Sequence, residues 1–143
     1  MRITTKGRYA LRAMIALAHL SKNGEIISIS SLSEAEDISA VFLEQIFFKL
    51  KQSGIIKSIR GPGGGFSFNR PLDSISIREI FEASGEEMEV LPCDRQHNNC
   101  DRCSECISHT VLVSVTDTIN NYLDKLSLQM VLENKQFKPR GRK

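Results

Sequence analysis

Apolar residues recur every three or four positions at the start of the chain. Leu11, Met14, Ile15 and Ala18 fall on one side of a stretch running from Thr5 to Ser21. That period predicts an amphipathic helix, ended by Asn23-Gly24. Ser31-Leu32-Ser33-Glu34 has the spacing of a capping box, in which a serine hydroxyl and a glutamate carboxylate satisfy the free amides of a helix start. A short second helix is expected there. Ser39 can cap a third helix whose apolar stripe is Phe42 or Leu43, then Ile46, Phe47 and Leu50, with Gly54 as its left-handed stop. Two short helices joined tightly make a helix-turn-helix candidate.

The period then changes. Ile55, Lys57 and Ile59 alternate with Ile56, Ser58 and Arg60, the Gly61-Pro62-Gly63-Gly64-Gly65 run intervenes, and Phe66-Ser67-Phe68 resumes the alternation. Strand, glycine-rich tip and strand describe a hairpin wing. A second capping box, Ser76-Ile77-Arg78-Glu79, opens a helix through Ala83 that Gly85 closes. Further on, Leu112, Val115, Ile119, Tyr122 and Leu126 recur at alternating three and four residues without Gly or Pro, the seam of a coiled coil. A chain of this size offers little surface to cover such a stripe, so a homodimer is expected; packing onto the chain's own helices is the alternative.

The expected fold is therefore mainly α with a small β-hairpin. A winged helix-turn-helix domain occupies 1–85, a cysteine-rich loop 86–106, a long C-terminal dimerisation helix 107–133 and a basic flexible tail 134–143. The 143 residues, 41% hydrophobic and 25% charged, suit one compact domain with an appendage and exclude a disordered or fibrous chain. Met1–Lys6 lacks the apolar stretch of a secretory signal and no uncharged run approaches a membrane span, so a cytoplasmic protein with no membrane partner is expected.

The net charge of +2 does not announce nucleic-acid binding, but its distribution changes the picture. Lys6, Arg8 and Arg12 open the chain, Lys49, Lys51, Lys57 and Arg60 crowd the middle, and five cations lie between Lys135 and Lys143. With the stripe of the third helix inward, Val41, Glu44, Gln45, Phe48 and Gln52 face outward. A glutamate accepts from cytosine N4 and a glutamine pairs with adenine, so this face suits the edges of bases in a major groove. An ordinary solvated face is the plain alternative, against which an outward Phe48 weighs, since it can meet a thymine methyl or tuck against the wing. Arg60 can enter a narrow minor groove, and Gly61, Gly63 and Gly64 let backbone approach phosphate. No Lys-Ser or Lys-Thr follows the glycines, which argues against a nucleotide-binding loop.

Thr5-Lys6-Gly7-Arg8-Tyr9-Ala10, Leu43-Glu44-Gln45 and Ile59-Arg60-Gly61-Pro62-Gly63-Gly64-Gly65-Phe66 resemble the iron–sulphur cluster regulators of the IscR type, related to the NsrR and CymR types, over nearly the whole chain. The resemblance implies a DNA-binding transcriptional repressor, in some members an activator, rather than an enzyme. It further implies a homodimer on double-stranded DNA operators. The third helix would lie in the major groove, the wing arginine in the minor groove, and a long helix would cross to the partner. By position, Glu44, Gln45 and Arg60 would read bases, and Lys6, Arg8 and Tyr9 would lie near phosphates.

All four cysteines fall within 14 residues, Cys93-x6-Cys100-x2-Cys103-x2-Cys106, with His109 just beyond. Clustering of this kind points to metal or redox chemistry rather than a disulphide framework. Three thiolates and an imidazole, from Cys93, Cys100, Cys106 and His109, suit an iron–sulphur cluster. The set is similar to the three-cysteine, one-histidine pattern of [2Fe–2S] regulators of the IscR type. Two departures stand: the first gap is one residue longer than the family's five, and Cys103 is an extra thiol. With Cys103 as a ligand the run is similar to a ferredoxin motif, and a [4Fe–4S] cluster is the alternative. Related sensors take a carboxylate ligand from the first helix; Arg8 stands at the matching position, which leaves the loop to supply every ligand. Zinc on Cys100-x2-Cys103 and Cys106-x2-His109 is disfavoured because only two residues separate the pairs. A thiol oxidoreductase is disfavoured because no βαβ pattern surrounds the cysteines. His97 and His19 read as loop and surface histidines.

Overall fold

Ser28, Ser39, Ser76 and Ser127 each turn a side-chain oxygen onto a backbone amide at the start of a helix, and these four caps divide most of the chain. The computed structural model describes residues 1–90, 100–102 and 104–137. Its elements are α1 (Thr5–Leu20), α2 (Ile29–Glu36), α3 (Ala40–Gln52), strands β1 (Ile56–Ile59) and β2 (Gly65–Phe68), α4 (Ile77–Ser84), α5 (Ile107–Lys125) and α6 (Leu128–Glu133). It is the mainly helical, hairpin-bearing fold expected.

Differences of detail have local causes. α2 begins earlier than the Ser31 box predicts, because Ser28 is the residue that accepts from the Ser31 amide. Ser31 is therefore the donor of the cap rather than the capping residue. In α1 the deepest face is Ala10, Ala13, Met14 and Leu17, all inaccessible to solvent. Leu11, Ile15 and Ala18 pack only at the edge of the core. Small alanines let α2, α3 and α4 approach α1 closely, and apolarity alone does not reveal that.

The turn between α2 and α3 is short and pinned. Asp37 adopts a left-handed conformation with φ 52°, and the Ser33 hydroxyl donates to the Ile38 carbonyl at 2.6 Å. From α3, Leu43, Ile46, Phe47 and Leu50 are fully buried, the stripe expected from spacing, and Gly54 follows with φ 80°. β1 and β2 pair antiparallel, Ile56 opposite Phe68 and Ile59 opposite Gly65. Phe66 meets Phe47 edge to face at 4.9 Å, which fixes the hairpin to α3. Ile27 adds one bridge to Phe66 on the other edge.

α4 carries both halves of its capping box, and Gly85 closes it with φ 95°. Burial opposes ionisation of the Glu79 carboxyl, but amide and hydroxyl donation from Ser76 and the Arg70 guanidinium outweigh it and hold Glu79 below the ordinary carboxylate range. α5 packs on α4 and is tied there by Arg78, which donates to Glu82 and Asp124, each at 2.8 Å.

The expected single helix over 107–133 is broken. α5 stops at Lys125, and Leu126, the last residue of the expected seam, is its cap rather than a helical position. The Ile77 amide donates to the Leu126 carbonyl at 2.9 Å and the Leu128 amide to the Ile75 carbonyl at 2.8 Å. These two bonds staple the chain to the entry of α4, and Ser127 restarts it as α6. Of the expected seam, only Leu112, Val115, Ile119 and Tyr122 lie within α5. Leu126 joins an apolar groove with Leu11, Ile15, Phe81, Leu123 and Val131.

Candidate nucleic-acid interface and cysteine loop

The outward side of α3 follows from its buried stripe. Val41 is 67% exposed and Phe48 61% exposed, and Glu44, Gln45 and Gln52 are exposed beside them. Together with Lys6 of α1 and Lys49 they line one shallow concavity. The structure therefore brings Lys6 to Val41, Glu44 and Gln45, residues about forty positions away in sequence. Phe48 lines this concavity.

Arg8 is exposed, and its guanidinium donates to the Thr5 hydroxyl at 3.1 Å. Tyr9 behaves differently. Its ring is half-buried, packs edge to face on Phe42 at 5.6 Å and lies under the Arg12 guanidinium at 5.3 Å. Arg12 in turn pairs with Glu36 at 3.0 Å. Tyr9 thus joins α1 to α3, a packing role that the sequence motif did not reveal.

In the wing, Arg60 is exposed at the end of β1 and makes no ion pair among the described residues. Gly61 and Gly63 have φ of 98° and 73°, a region that side-chain-bearing residues rarely adopt. A β-carbon on Gly64 would lie 2.7 Å from the Gly61 carbonyl oxygen. The tip can therefore be this tight only with glycine, and it leaves exposed backbone beside the exposed Arg60.

The cysteine loop meets the fold at the start of α5. Cys106 is the residue at its N-terminal cap and His109 stands in its first turn, three residues on and so on the same face. Cys106 is half-buried and Cys100 exposed, both as free thiols. The Nδ1 atom of His109 is buried with no hydrogen-bond partner among the described residues. Cys93, His97 and Cys103 lie outside the described residues. Among the described residues no three His, Cys, Asp or Glu side chains are gathered around one point. His19, the remaining histidine, is exposed on α1.

Sequence reasoning missed Glu86. This residue, only 8% exposed, follows α4 and folds back onto the first turn of α1. Its carboxylate accepts from the Thr4 amide at 3.2 Å, from the Gly7 amide at 2.9 Å and from the Thr4 hydroxyl. Burial works against its charge, but these donors and nearby Lys6 prevail and hold its pKa below the ordinary value. The one hint in the sequence is Gly7 inside an otherwise good helix.

On α5, Val115 is 41% and Tyr122 55% exposed, and Leu112 and Ile119 are half-buried. The side of α5 turned to its own chain carries Thr116 and Asn120, both buried, and Leu123 at the edge of the core. Among the described residues no helix is long and apolar enough to cross a membrane.

Comparison with known proteins converges on one group. Residues 3–134 match the family model described as Rrf2, an iron-dependent transcriptional regulator. A helix-turn-helix transcriptional regulator of Neisseria meningitidis is 38% identical over 135 residues, spanning 94% of this chain and 90% of that protein. The IscR regulator of Pectobacterium carotovorum is 32% identical over 136 residues, spanning 95% and 82%. Among solved structures, T. potens IscR superposes with a TM-score of 0.74 at 26% identity over 99% of this chain and 94% of that one. The oxidised form of Staphylococcus aureus CymR does so with a TM-score of 0.71 at 32% identity over 94% and 98%. With a family match across almost the whole length and a winged helix-turn-helix fold in common, this chain belongs to the Rrf2 family of transcriptional regulators.

Proposed function

We propose that this regulator binds operator DNA as a homodimer and senses iron–sulphur status or redox stress through a cluster held by its cysteine loop. The observation that carries the DNA half is the concavity that joins Lys6 to Val41, Glu44, Gln45 and Phe48, with an unpaired Arg60 on the neighbouring wing. Phosphate contacts position a protein on the duplex and base-edge contacts give it sequence preference. Lys6 and Arg8 serve the first purpose, Glu44 and Gln45 the second, with Val41 and Phe48 against thymine methyls. Arg60 enters the minor groove, with backbone at Gly61, Gly63 and Gly64 near phosphate. Tyr9 acts by packing.

The ligand proposal rests on donor chemistry. Cys106 and His109 offer a thiol and an imidazole from one turn, and the buried Nδ1 of His109 has no hydrogen-bond partner among the described residues. A helix N-terminus also favours an anionic ligand. Together with Cys93 and Cys100 they would hold a [2Fe–2S] cluster, Cys103 being the reserve thiol for an all-cysteine [4Fe–4S] site. When bound, the cluster supplies sensitivity to iron supply and oxidants. The protein's own contribution is to fix two ligands on the first turn of α5, a helix clamped to α4 by Arg78.

The test of DNA reading separates two residues. Two duplexes are selected from random DNA, one by cluster-loaded and one by cluster-free protein, and affinities are measured at fixed salt. Arg60→Ala is expected to weaken both about tenfold or more, because minor-groove charge acts on any bases. Glu44→Ala is expected to change the ratio between them by about 1–3 kcal/mol, since a carboxylate rewards cytosine and repels acceptor edges. If Glu44→Ala weakens both equally, Glu44 does not select operators.

A further inference from the structure

The segment between α4 and the cysteines does not leave the fold as a free loop. Glu86 grips the first turn of α1, Met88 is buried at 4% exposure, and the Met88 carbonyl accepts from the Asn120 side chain at 3.0 Å. The Val90 amide then donates to the Thr116 hydroxyl at 3.2 Å. Cys93 lies three residues further along. Two of these ties are to α5, the helix that bears Cys106 and His109, and the third is to the turn that carries Lys6 into the concavity beside Glu44.

Gly7 shows how closely the grip is fitted. A β-carbon there would lie 2.6 Å from Glu86 Oε1 and 2.7 Å from its Cγ, so the carboxylate occupies the space that any other residue would fill. A buried carboxylate that accepts three hydrogen bonds at a helix start is held by charge-assisted bonds, and a shift of its backbone by an ångström breaks them together. Residues 86–90 therefore form a taut connection with a cysteine ligand beyond one end and a phosphate-facing lysine beyond the other.

We infer that Glu86 is a positioning residue for operator binding, and that the Glu86–Val90 strap carries the state of the cysteine loop to the first turn of α1. This rests on the cluster reading above. The strap, tied to α5 through Met88 and Val90 and to α1 through Glu86, sets how firmly Thr4 and Gly7 are held. Lys6 then meets its phosphate in one state more favourably than in the other. Coupling through such an element is typically on the order of tenfold in affinity.

The experiment compares wild type with Glu86→Gln, which keeps the side-chain shape and removes its charge. Thr4→Val, which removes only the hydroxyl donor, is the milder second variant. Each full-length protein is reconstituted anaerobically, its cluster absorption recorded, and its affinity for one duplex selected from random DNA by cluster-loaded wild type measured in loaded and cluster-free forms. The expected result is an unchanged cluster spectrum in both variants, with the loaded-to-free affinity ratio of about tenfold falling towards one in Glu86→Gln and part of the way in Thr4→Val. A purely structural role would lower both affinities and leave the ratio intact, and that outcome overturns the strap while leaving the cluster reading standing. A wild-type ratio of one overturns it equally. Wild type that takes up no cluster removes the cluster reading and the strap with it.

Discussion

Anaerobically purified protein in which Cys106 is replaced by alanine is expected to be colourless and free of acid-labile sulphide, whereas the wild type is coloured and carries iron. Cys106 holds the cap position of α5, where the helix presents free amides and the positive end of its dipole. Its removal takes away the thiol at the cap of α5, and it leaves His109 without that thiolate on the same face. Cys93→Ala and Cys100→Ala should have the same result, because a cluster with three remaining ligands is opened to solvent and lost. Cys103→Ala should keep the colour, with His109 as fourth ligand. Colour lost on Cys103→Ala and kept on His109→Ala would reassign that position to the thiol. Stoichiometric zinc without sulphide in the wild type would end the cluster reading.

Ile119→Glu is expected to convert a dimer into monomers or aggregates, read as a halved mass in sedimentation or gel filtration. Within one chain α5 is an unusual helix. Its inward side is largely polar, Thr116 and Asn120 being occupied with the strap, while Val115 and Tyr122 remain 41% and 55% exposed. Covering apolar surface of that kind with a second copy would contribute roughly 25 cal/mol per Å² buried. A two-fold interface places the substitution twice. A carboxylate without a partner in such a seam costs several kcal/mol to desolvate. The monomer should also bind operator far more weakly, since one half-site replaces two. A fully folded dimer carrying Ile119→Glu would show that the row packs elsewhere.

Strong acid should remove the contribution of the carboxylates that the fold holds ionised. Glu79 and Glu86 both have lowered pKa values, so their contribution is complete above the ordinary carboxylate range and is lost as pH falls through their folded values. Glu86 grips α1 beside the concavity lined by Lys6 and Glu44, so a weaker affinity for DNA is the expected result as that grip is lost.

What the sequence determined by itself was everything set by neighbours a few residues apart. The stripe of α3, the capping box at Ser76 and the glycine tip of the wing are local, and each imposes its structure through a period, a cap or a backbone conformation. The outward face of Glu44 and Gln45 followed from that stripe. The decisions left to tertiary structure all depended on contacts distant in sequence. Ser76 pairs with Ser127 and ends α5 at Lys125, although nothing in residues 112–126 breaks a helix. Tyr9 became a packing residue because Phe42 lies across from it, and Lys6 joined the outward face of α3 because α1 crosses α3 there. Gly7 carries no visible reason until the Glu86 carboxylate is found in the place of its missing side chain. A period reports which side of a helix is apolar; only the packed chain reports what fills that side, and a partner 79 residues away leaves no mark on the pattern.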